Sequence, residues 1–166
     1  AWLEGLGFAQ YRALFADRVD HQLGQQRPVA VLLIDLDDFK LVNDTHGHAV
    51  GDQVLVEVGK RLVGCLRSGD TAARLSGDEF AICTEFDPGK DTEAEAFAQR
   101  VLDALPGPFL VQGTEISVKL SIGIALGDPQ VQNSATLLRE ADLALYAAKA
   151  AGKGTYRIFE ARLHEV

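Results

Sequence analysis

The feature that most constrains the fold is an uninterrupted apolar run over residues 29–34, which ends at Asp35. The run is rich in branched side chains and does not alternate with polar residues, a pattern typical of a strand buried on both faces. Such a strand lies in the middle of a sheet. Ligands of open α/β sheets bind at strand ends, so Asp35 is a candidate for metal binding.

A second pair of acids lies at the predicted tip of a β-hairpin. Residues 71–75 and 80–83 are short extended runs, and Ser76-Gly77 between them is a turn signal. At this tip Asp78 and Glu79 stay ionised and are able to bind a hard cation through oxygen. An isolated Gly-Asp-Glu is more often an ordinary solvated turn, so the neighbouring motifs decide between the two interpretations.

Two lysines, Lys149 and Lys153, add the positive charge that phosphate chemistry needs. In metal-assisted phosphoryl transfer, carboxylates hold Mg²⁺ and cationic groups neutralise phosphate oxygens. Either lysine taken singly is also explained by favourable charge at a helix C-terminus. Asp35 and Asp37 are likewise explained as helix caps, and we expect one acid of the Asp35-Leu36-Asp37-Asp38 segment to cap the next helix.

The spacing of apolar residues predicts the order helix, strand, helix, helix, hairpin, helix, hairpin, helix, strand. The helices are predicted over about residues 7–23, 38–46, 49–66, 92–105 and 135–151, and the strands over 29–34, 71–75, 80–83, 109–111, 116–125 and 155–160. Strict alternation from Ile116 to Ile124 predicts a half-buried strand. The order implies an α+β sandwich whose mixed, mostly antiparallel central sheet is flanked by helices.

The composition excludes several other classes of protein. A net charge of −8 argues against a nucleic-acid interface, which needs a basic face. No apolar run is long enough for a membrane span, so we expect no membrane contact by this domain. Cys65 and Cys83 lack metal-site spacing and favour a reduced, cytoplasmic setting. We interpret residues 1–166 as a single domain cut from a longer signalling protein.

Five separated motifs resemble, in order, those of the GGDEF family, the diguanylate cyclases. They are Asp35-Leu36-Asp37-Asp38-Phe39-Lys40-Leu41-Val42-Asn43-Asp44, Gly47-His48-Ala49-Val50-Gly51-Asp52, Arg74-Leu75-Ser76-Gly77-Asp78-Glu79-Phe80, Ser121-Ile122-Gly123 and Ala141-Asp142-Leu143-Ala144-Leu145-Tyr146-Ala147-Ala148-Lys149. The resemblance spans nearly the whole chain, with Ser76 in place of the first Gly. It implies the palm-like fold of nucleotide cyclases and the condensation of two GTP molecules into cyclic di-GMP and pyrophosphate.

The resemblance also implies catalytic and metal-binding roles for the matching acids. Asp35 and Asp78 hold Mg²⁺ or Mn²⁺, with the Leu36 carbonyl as a further ligand. Glu79 completes the acidic cluster and is a candidate to assist deprotonation of the attacking 3′-hydroxyl, although a metal is also able to lower the pKa of that hydroxyl alone. Because each domain binds one GTP, catalysis requires a homodimer with two domains face to face.

Substrate and product contacts are assigned in the same way. The groups expected to bind GTP phosphates and guanine are Lys149, Lys153, Lys40, the backbone N–H groups near Asp38 and Phe39, Asn43 and Asp52. Arg67 and Asp70 form a polar turn by themselves, and the resemblance assigns them to an inhibitory site for cyclic di-GMP. We interpret Arg100 as a solvated helix arginine rather than as a second arm of that site.

One motif departs from the family. The opening Asp-x-Leu-Thr-Gly-Leu-x-Asn-Arg is represented by Leu3-Glu4-Gly5-Leu6-Gly7-Phe8-Ala9, which keeps Leu-x-Gly-Leu and lacks Thr, Asn and Arg. A second function therefore stays open, a GGDEF domain that binds GTP or cyclic di-GMP with little or no turnover and regulates an attached EAL-type phosphodiesterase domain. A purely structural domain that binds no GTP is the third alternative.

Overall fold

The computed structural model describes residues 2–3, 8–87, 89, 91–129 and 132–160. The helices in these ranges are α1 Phe8–Gly24, α2 Phe39–His46, α3 His48–Cys65, α4 Asp91–Ala104 and α5 Ser134–Ala150. The strands are β1 Trp2–Leu3, β2 Val29–Asp37, β3 Thr71–Arg74, β4 Glu79–Glu85, β5 Phe109–Val111, β6 Thr114–Ile116, β7 Lys119–Gly127 and β8 Tyr156–Ile158. Of the described helices, none is sufficiently long and apolar to span a membrane.

The central sheet has the strand order β1-β3-β4-β2-β7-β8. β2 pairs antiparallel with β4 on one side and with β7 on the other, and β3 pairs antiparallel with β4. The two edge strands are parallel to their neighbours, β1 to β3 and β8 to β7. The predicted class, a mixed and mostly antiparallel sheet flanked by helices, is therefore confirmed.

Alternate residues of β2 supply two separate hydrophobic cores. Leu32 and Ile34 belong to the core that contains α2, α3 and α4, whereas Val31 and Leu33 belong to the core under α1 and α5. Successive side chains of a strand point to opposite faces, so an uninterrupted apolar run serves both cores at once. This explains the composition of residues 29–34 and fixes β2 at the centre of the sheet.

The strand predicted over residues 116–125 is wrong in two respects. The chain breaks it into β6, which pairs with β5 in a separate two-stranded sheet, and β7, which joins the central sheet. β7 is also buried on both faces rather than half-buried. Its second face is made of the small residues Ser121, Gly123 and Ala125, which polarity patterns do not distinguish from a solvated face, and α5 packs directly against it.

The capping expectation for α2 is met in position, because the N-cap is one of the three acids of residues 35–38, but not in the expected side-chain hydrogen bond. β2 continues to Asp37, three residues beyond the predicted end, and the N-cap of α2 is Asp38 with a left-handed φ of 55°. Among the described residues, no side-chain hydrogen bond caps this helix. Its end agrees with the prediction, since α2 stops at His46 and Gly47 follows with φ 91°.

Gly123 allows α5 to approach β7 at backbone contact distance. A Cβ at this position would lie 2.1 Å from the Ala141 carbonyl oxygen and 2.3 Å from the Leu145 nitrogen, both rigid backbone atoms. The packing of α5 therefore depends on the absence of a side chain here.

We predict that Gly123→Ala destabilises the domain by about 1–3 kcal/mol, because α5 must shift away from the sheet. Thermal unfolding measures the effect. Gly64→Ala in α3 is the matched control, since no described atom lies within 4 Å of its Cβ position. The control should stabilise the domain by about 0.5–1 kcal/mol through helix propensity. Equal unfolding temperatures for the two variants would contradict this account of α5.

Candidate functional site

The register of β2 and β4 brings the two acidic segments together. Asp35 is the direct cross-strand partner of Glu79, and the Leu36 N–H donates to the Asp78 carbonyl oxygen at 3.1 Å. The Asp35 and Asp78 carboxylates are close enough to repel each other electrostatically. Asp35 and the adjacent pair Asp78-Glu79, which are far apart along the chain, therefore meet at one end of the sheet.

Two lysines, one at the end of α5 and one in the turn after it, form ion pairs with Asp35 and with Asp38. The Lys149 ammonium donates to Asp35 Oδ2, and the Lys153 Nζ donates to Asp38 Oδ1 at 2.8 Å. The C-terminal end of the helix predicted over residues 135–151, which carries Lys149, thus lies beside the end of β2. Lys149 therefore lies beside an acid expected to bind a metal, whereas Lys153 lies beside Asp38, which was expected to contact the substrate through its backbone.

The site keeps its acids partly buried, which alters their ionisation. Burial is the largest cause that raises the pKa of Asp35, and the neighbouring Asp78 carboxylate adds to it, whereas the hydrogen bond from Lys149 opposes it. Burial also raises the pKa of Glu79, and the Arg12 guanidinium 3.6 Å away opposes that shift. The acids lie in an environment that favours a compensating positive charge.

One oxygen of this cluster has no partner. Asp35 Oδ1 is buried and makes no hydrogen bond within the described part of the chain, while Oδ2 is taken by Lys149. No group of three or more His, Cys, Asp or Glu side chains in the described ranges is arranged to hold a metal by itself. Mg²⁺ commonly binds one or two carboxylates together with water and substrate phosphates, so the available donors suit it.

Asp37 proves to be a structural anchor of the lysine-bearing turn. Its side chain is only 7% exposed, accepts from Ser121 Oγ at 2.9 Å and accepts from the Gly154 N–H at 3.0 Å. The turn itself has three consecutive left-handed residues, Gly152, Lys153 and Gly154, with φ of 119°, 66° and 63°. A buried carboxylate bound to its backbone fixes this unusual geometry and therefore the position of Lys153.

Arg74 stabilises the turn of the hairpin that carries Asp78 and Glu79. Its guanidinium donates to the Ser76 carbonyl oxygen at 3.1 Å and to the Gly77 carbonyl oxygen at 2.6 Å. These contacts close the turn that carries Asp78. The sequence placed Arg74 within the hairpin motif, but its function in the turn becomes visible only in the folded hairpin.

A cleft beside the acids contains the residues expected to recognise a base. It has a volume of about 410 Å³, and its lining residues include Asn43, Asp52, Lys40 and Asp78. Asn43 Oδ1 is buried without a hydrogen-bond partner in the described residues, and it lies 1.8 Å from the position that a Cβ would take at Gly51, so a side chain there would displace the Asn43 amide. The cleft thus offers an unsatisfied amide next to the Asp52 carboxylate.

The remaining predicted phosphate contacts lie on α2. Lys40 is exposed and borders the same cleft, whereas the Phe39 side chain is buried in the core. The backbone of Phe39 lies at the start of α2, so any phosphate contact at this position would have to come from the backbone. Asp38 contributes an exposed carboxylate that pairs with Lys153, which lowers the pKa of Asp38.

Arg67 and Asp70 lie at the other end of β4. Asp70 is 4% exposed and accepts from the Arg67 N–H at 2.8 Å and from Thr84 Oγ1 at 2.7 Å. Arg67 Nη2 donates to Thr84 Oγ1 at 2.6 Å and to the Glu85 carbonyl oxygen at 2.7 Å. Arg100, interpreted as solvated, stacks on Phe97 and lines a cavity of about 240 Å³ that Arg67 also lines.

Two site residues were missed in the sequence. Arg12 pairs with Glu79 from α1, and Asp142 on α5 is close enough to raise the pKa of Glu79. Asp142 and Lys149 are seven residues apart on one helix and so share a face, a spacing that was available in the sequence. The altered opening motif at residues 4–7 lies outside the described residues.

Solved structures show the same fold. The GGDEF domain of PA1120 (YfiN or TpbB) from Pseudomonas aeruginosa is 38% identical, with a TM-score of 0.83 over 90% of this chain and 95% of that chain. The GGDEF domain of DgcB from Caulobacter crescentus, solved in complex with c-di-GMP, is 25% identical, with a TM-score of 0.80 over 90% of this chain and 91% of that one. The class of protein is thus an α+β domain of the kind found in these signalling proteins.

Comparison of the amino-acid sequence with known families and proteins identifies the family as well as the fold. The family model "Diguanylate cyclase, GGDEF domain" matches residues 10–155. The chain is 38% identical over 159 residues to the bifunctional diguanylate cyclase/cyclic di-GMP phosphodiesterase MucR of Pseudomonas aeruginosa, covering 92% of this chain and 23% of that relative. The chain spans about a fifth to a third of the length of the curated relatives it matches. The chain belongs to the GGDEF domain family.

We predict that Glu79→Gln raises the unfolding temperature at pH 7 in metal-free buffer. The folded-state pKa of Glu79 is raised, so its ionisation costs stability as the pH rises from the range of an ordinary glutamate through the folded pKa. The gain should disappear at more acidic pH, where the wild-type side chain is protonated in both states. Glu115→Gln, at an exposed acid of β6, is the control and should change little at either pH.

Proposed function

We propose that this domain is a diguanylate cyclase that condenses two GTP molecules into cyclic di-GMP with release of pyrophosphate. The observation that carries the proposal is the pairing of Asp35 with the Asp78-Glu79 hairpin, with Lys149 bound to the same acid. Carboxylates and ammonium groups at one strand end are what phosphoryl transfer from a triphosphate requires. Membership of the family and the relatives' names support this assignment.

Asp35 and Asp78, with the Leu36 carbonyl and Glu79, are the proposed ligands of Mg²⁺ or Mn²⁺. The unpartnered Asp35 Oδ1 and the mutual repulsion of the acids support this role. The bound ion would neutralise phosphate charge and lower the pKa of the attacking 3′-hydroxyl. Glu79 lies beside Asp35 and is the proposed acceptor of the hydroxyl proton.

Lys149 and Lys153 are the proposed phosphate ligands. In the absence of nucleotide they neutralise Asp35 and Asp38, so binding of a triphosphate and a cation exchanges one set of ion pairs for another. Lys40 and the backbone at the start of α2 would add to the same phosphate contacts. Because Asp37 fixes the turn that contains Lys153, the backbone at this lysine would not have to be ordered when GTP binds.

Guanine selection is assigned to Asn43 and Asp52. The Asp52 carboxylate is suited to accept from the N1 and N2 hydrogens of guanine, and the Asn43 amide offers both a donor and an acceptor. Adenine carries a different edge and would leave these groups unpaired, which penalises its binding. The buried and unsatisfied Asn43 Oδ1 supports a role in recognising a polar edge.

A second proposed ligand is the product, cyclic di-GMP, bound at Arg67 and Asp70. The GGDEF domain of DgcB, solved in complex with c-di-GMP, supports cyclic di-GMP as a ligand of this kind of domain, and the site at Arg67 and Asp70 is our proposal. Asp70 is buried and holds the backbone of Arg67, so its proposed role is to position the turn, whereas the Arg67 guanidinium is suited to a phosphate or a guanine face. Turnover would also require a second copy of the domain facing the first, because each copy supplies one GTP.

The second candidate function is a GTP-binding domain that regulates an attached phosphodiesterase. The altered opening motif and the bifunctional name of MucR favour it. Both functions share the nucleotide site and differ only in turnover.

We predict that purified protein with GTP and Mg²⁺ forms pyrophosphate and cyclic di-GMP at a rate that rises more steeply than protein concentration. Asp78→Ala should abolish product, since it removes a proposed metal ligand, whereas Asp103→Ala on α4 should not. Chromatography and a pyrophosphate assay provide the measurement. Saturable GTP binding without product at high protein concentration would instead support the regulatory function, and absence of GTP binding would favour a structural domain.

We predict that Asn43→Ala weakens GTP binding by roughly tenfold to a hundredfold, the effect of losing one or two hydrogen bonds in a buried site. ATP binding, measured by calorimetry in parallel, should change much less, so that the preference for GTP falls. Gln53→Ala, beside Asp52 but exposed, is the control. Equal losses for GTP and ATP would remove Asn43 from base recognition.

A further inference from the structure

A cleft at the Glu85 end of β4 is separated from the acidic end of the same strand. β4 runs from Glu79 to Glu85, which places its ends about 20 Å apart at the usual rise of a strand. The cleft has a volume of about 470 Å³, and its charged lining residues are the two arginines Arg27 and Arg67 and the four acids Asp70, Glu85, Asp87 and Glu93. It is the cleft in which cyclic di-GMP binding is proposed above.

Strand register brings Arg27 to this cleft. Val29, the first residue of β2, is the cross-strand partner of Glu85, the last residue of β4. Arg27 precedes Val29 by two residues, and its Nη1 donates to Glu85 Oε1 at 3.0 Å. Arg27 lies in the connection from α1 to β2, two residues before the strand pair that keeps it close to Glu85.

Glu85 holds two guanidinium groups in different ways. Its carboxylate binds Arg27, whereas its backbone carbonyl accepts from Arg67 Nη2 at 2.7 Å. A substitution of the Glu85 side chain thus releases Arg27 and leaves the Arg67 contact in place. The cleft already contains two arginines, one of which is held by a replaceable anion.

The Arg27–Glu85 ion pair is exposed to solvent. The two side chains are 54% and 47% exposed, so water and salt screen the pair and it contributes little to folding stability. Arg27 donates to Glu85 through Nη1 alone, whereas a phosphate group is able to accept two parallel charge-assisted hydrogen bonds from an arginine fork, which is a stronger contact than a single one. A phosphate in the cleft would therefore compete successfully with the Glu85 carboxylate for Arg27.

We propose that Arg27 binds a phosphate group of cyclic di-GMP in this cleft and that Glu85 is the anion that the ligand displaces. The proposal rests on the proposed product binding at Arg67 and Asp70, and it adds a phosphate ligand and a competing anion to that site. It requires opposite effects from the two partners of one ion pair. Loss of Arg27 weakens cyclic di-GMP binding, and loss of the Glu85 charge strengthens it.

The test is calorimetric titration of the wild-type domain and its variants with cyclic di-GMP. Arg27→Ala should raise Kd roughly tenfold, the effect of losing a charge-assisted contact, and Arg27→Lys should restore part of it. Glu85→Gln should lower Kd roughly threefold, because it removes a competing charge. Arg157→Ala is the matched control on β8, at the far edge of the sheet, and should leave Kd unchanged.

Different failures have different meanings. Weaker binding by both Arg27→Ala and Glu85→Gln would assign the pair to structure and overturn the proposal. If Arg67→Ala abolishes binding while Arg27→Ala leaves Kd unchanged, the role of Arg67 survives and that of Arg27 is overturned. If the wild-type domain binds no cyclic di-GMP, both assignments are overturned, and the GTP titration of the same sample reports separately on the nucleotide site.

Discussion

The antiparallel pairing of β2 with β4 is the interaction on which the rest of the structure depends. The pairing puts Asp35 opposite Glu79 at one end and Val29 opposite Glu85 at the other. A shift of one residue would turn every β2 side chain to the opposite face and exchange the two cores. The hydrophobic cores therefore fix the register. The register in turn fixes both the acidic site and the cleft at the Glu85 end of β4.

The acidic site is electrostatically unfavourable in the folded domain, and the surrounding sheet and helices hold it in place. Asp35 and Glu79 are largely removed from water and are repelled by neighbouring carboxylates, and Lys149 and Arg12 offset only part of that cost. Such a cluster is destabilising for folding but suited to binding a cation and a triphosphate. The buried Asp37, bound to Ser121 and Gly154, supports the turn that carries Lys153.

Much of the molecule was predictable from local patterns. The apolar run of β2, the periodic helices and the turn at Ser76-Gly77 gave the correct class and the approximate positions of most elements. The prediction for β7 was wrong because Ser121, Gly123 and Ala125 look like a polar face in the sequence, although α5 covers them. Small residues mark both solvent exposure and close packing, and only a packing partner distinguishes the two.

The sequence by itself determined the family, the acids at the ends of strands and the cationic end of α5, because these depend on residue type and local spacing. The tertiary structure decided which groups meet. Asp37 proved to anchor a turn 117 residues away rather than to cap a helix, and Arg27 proved to share Glu85 with Arg67. Contacts of this kind follow from strand register and helix docking, which are set by the whole core at once and leave no local signal in the chain.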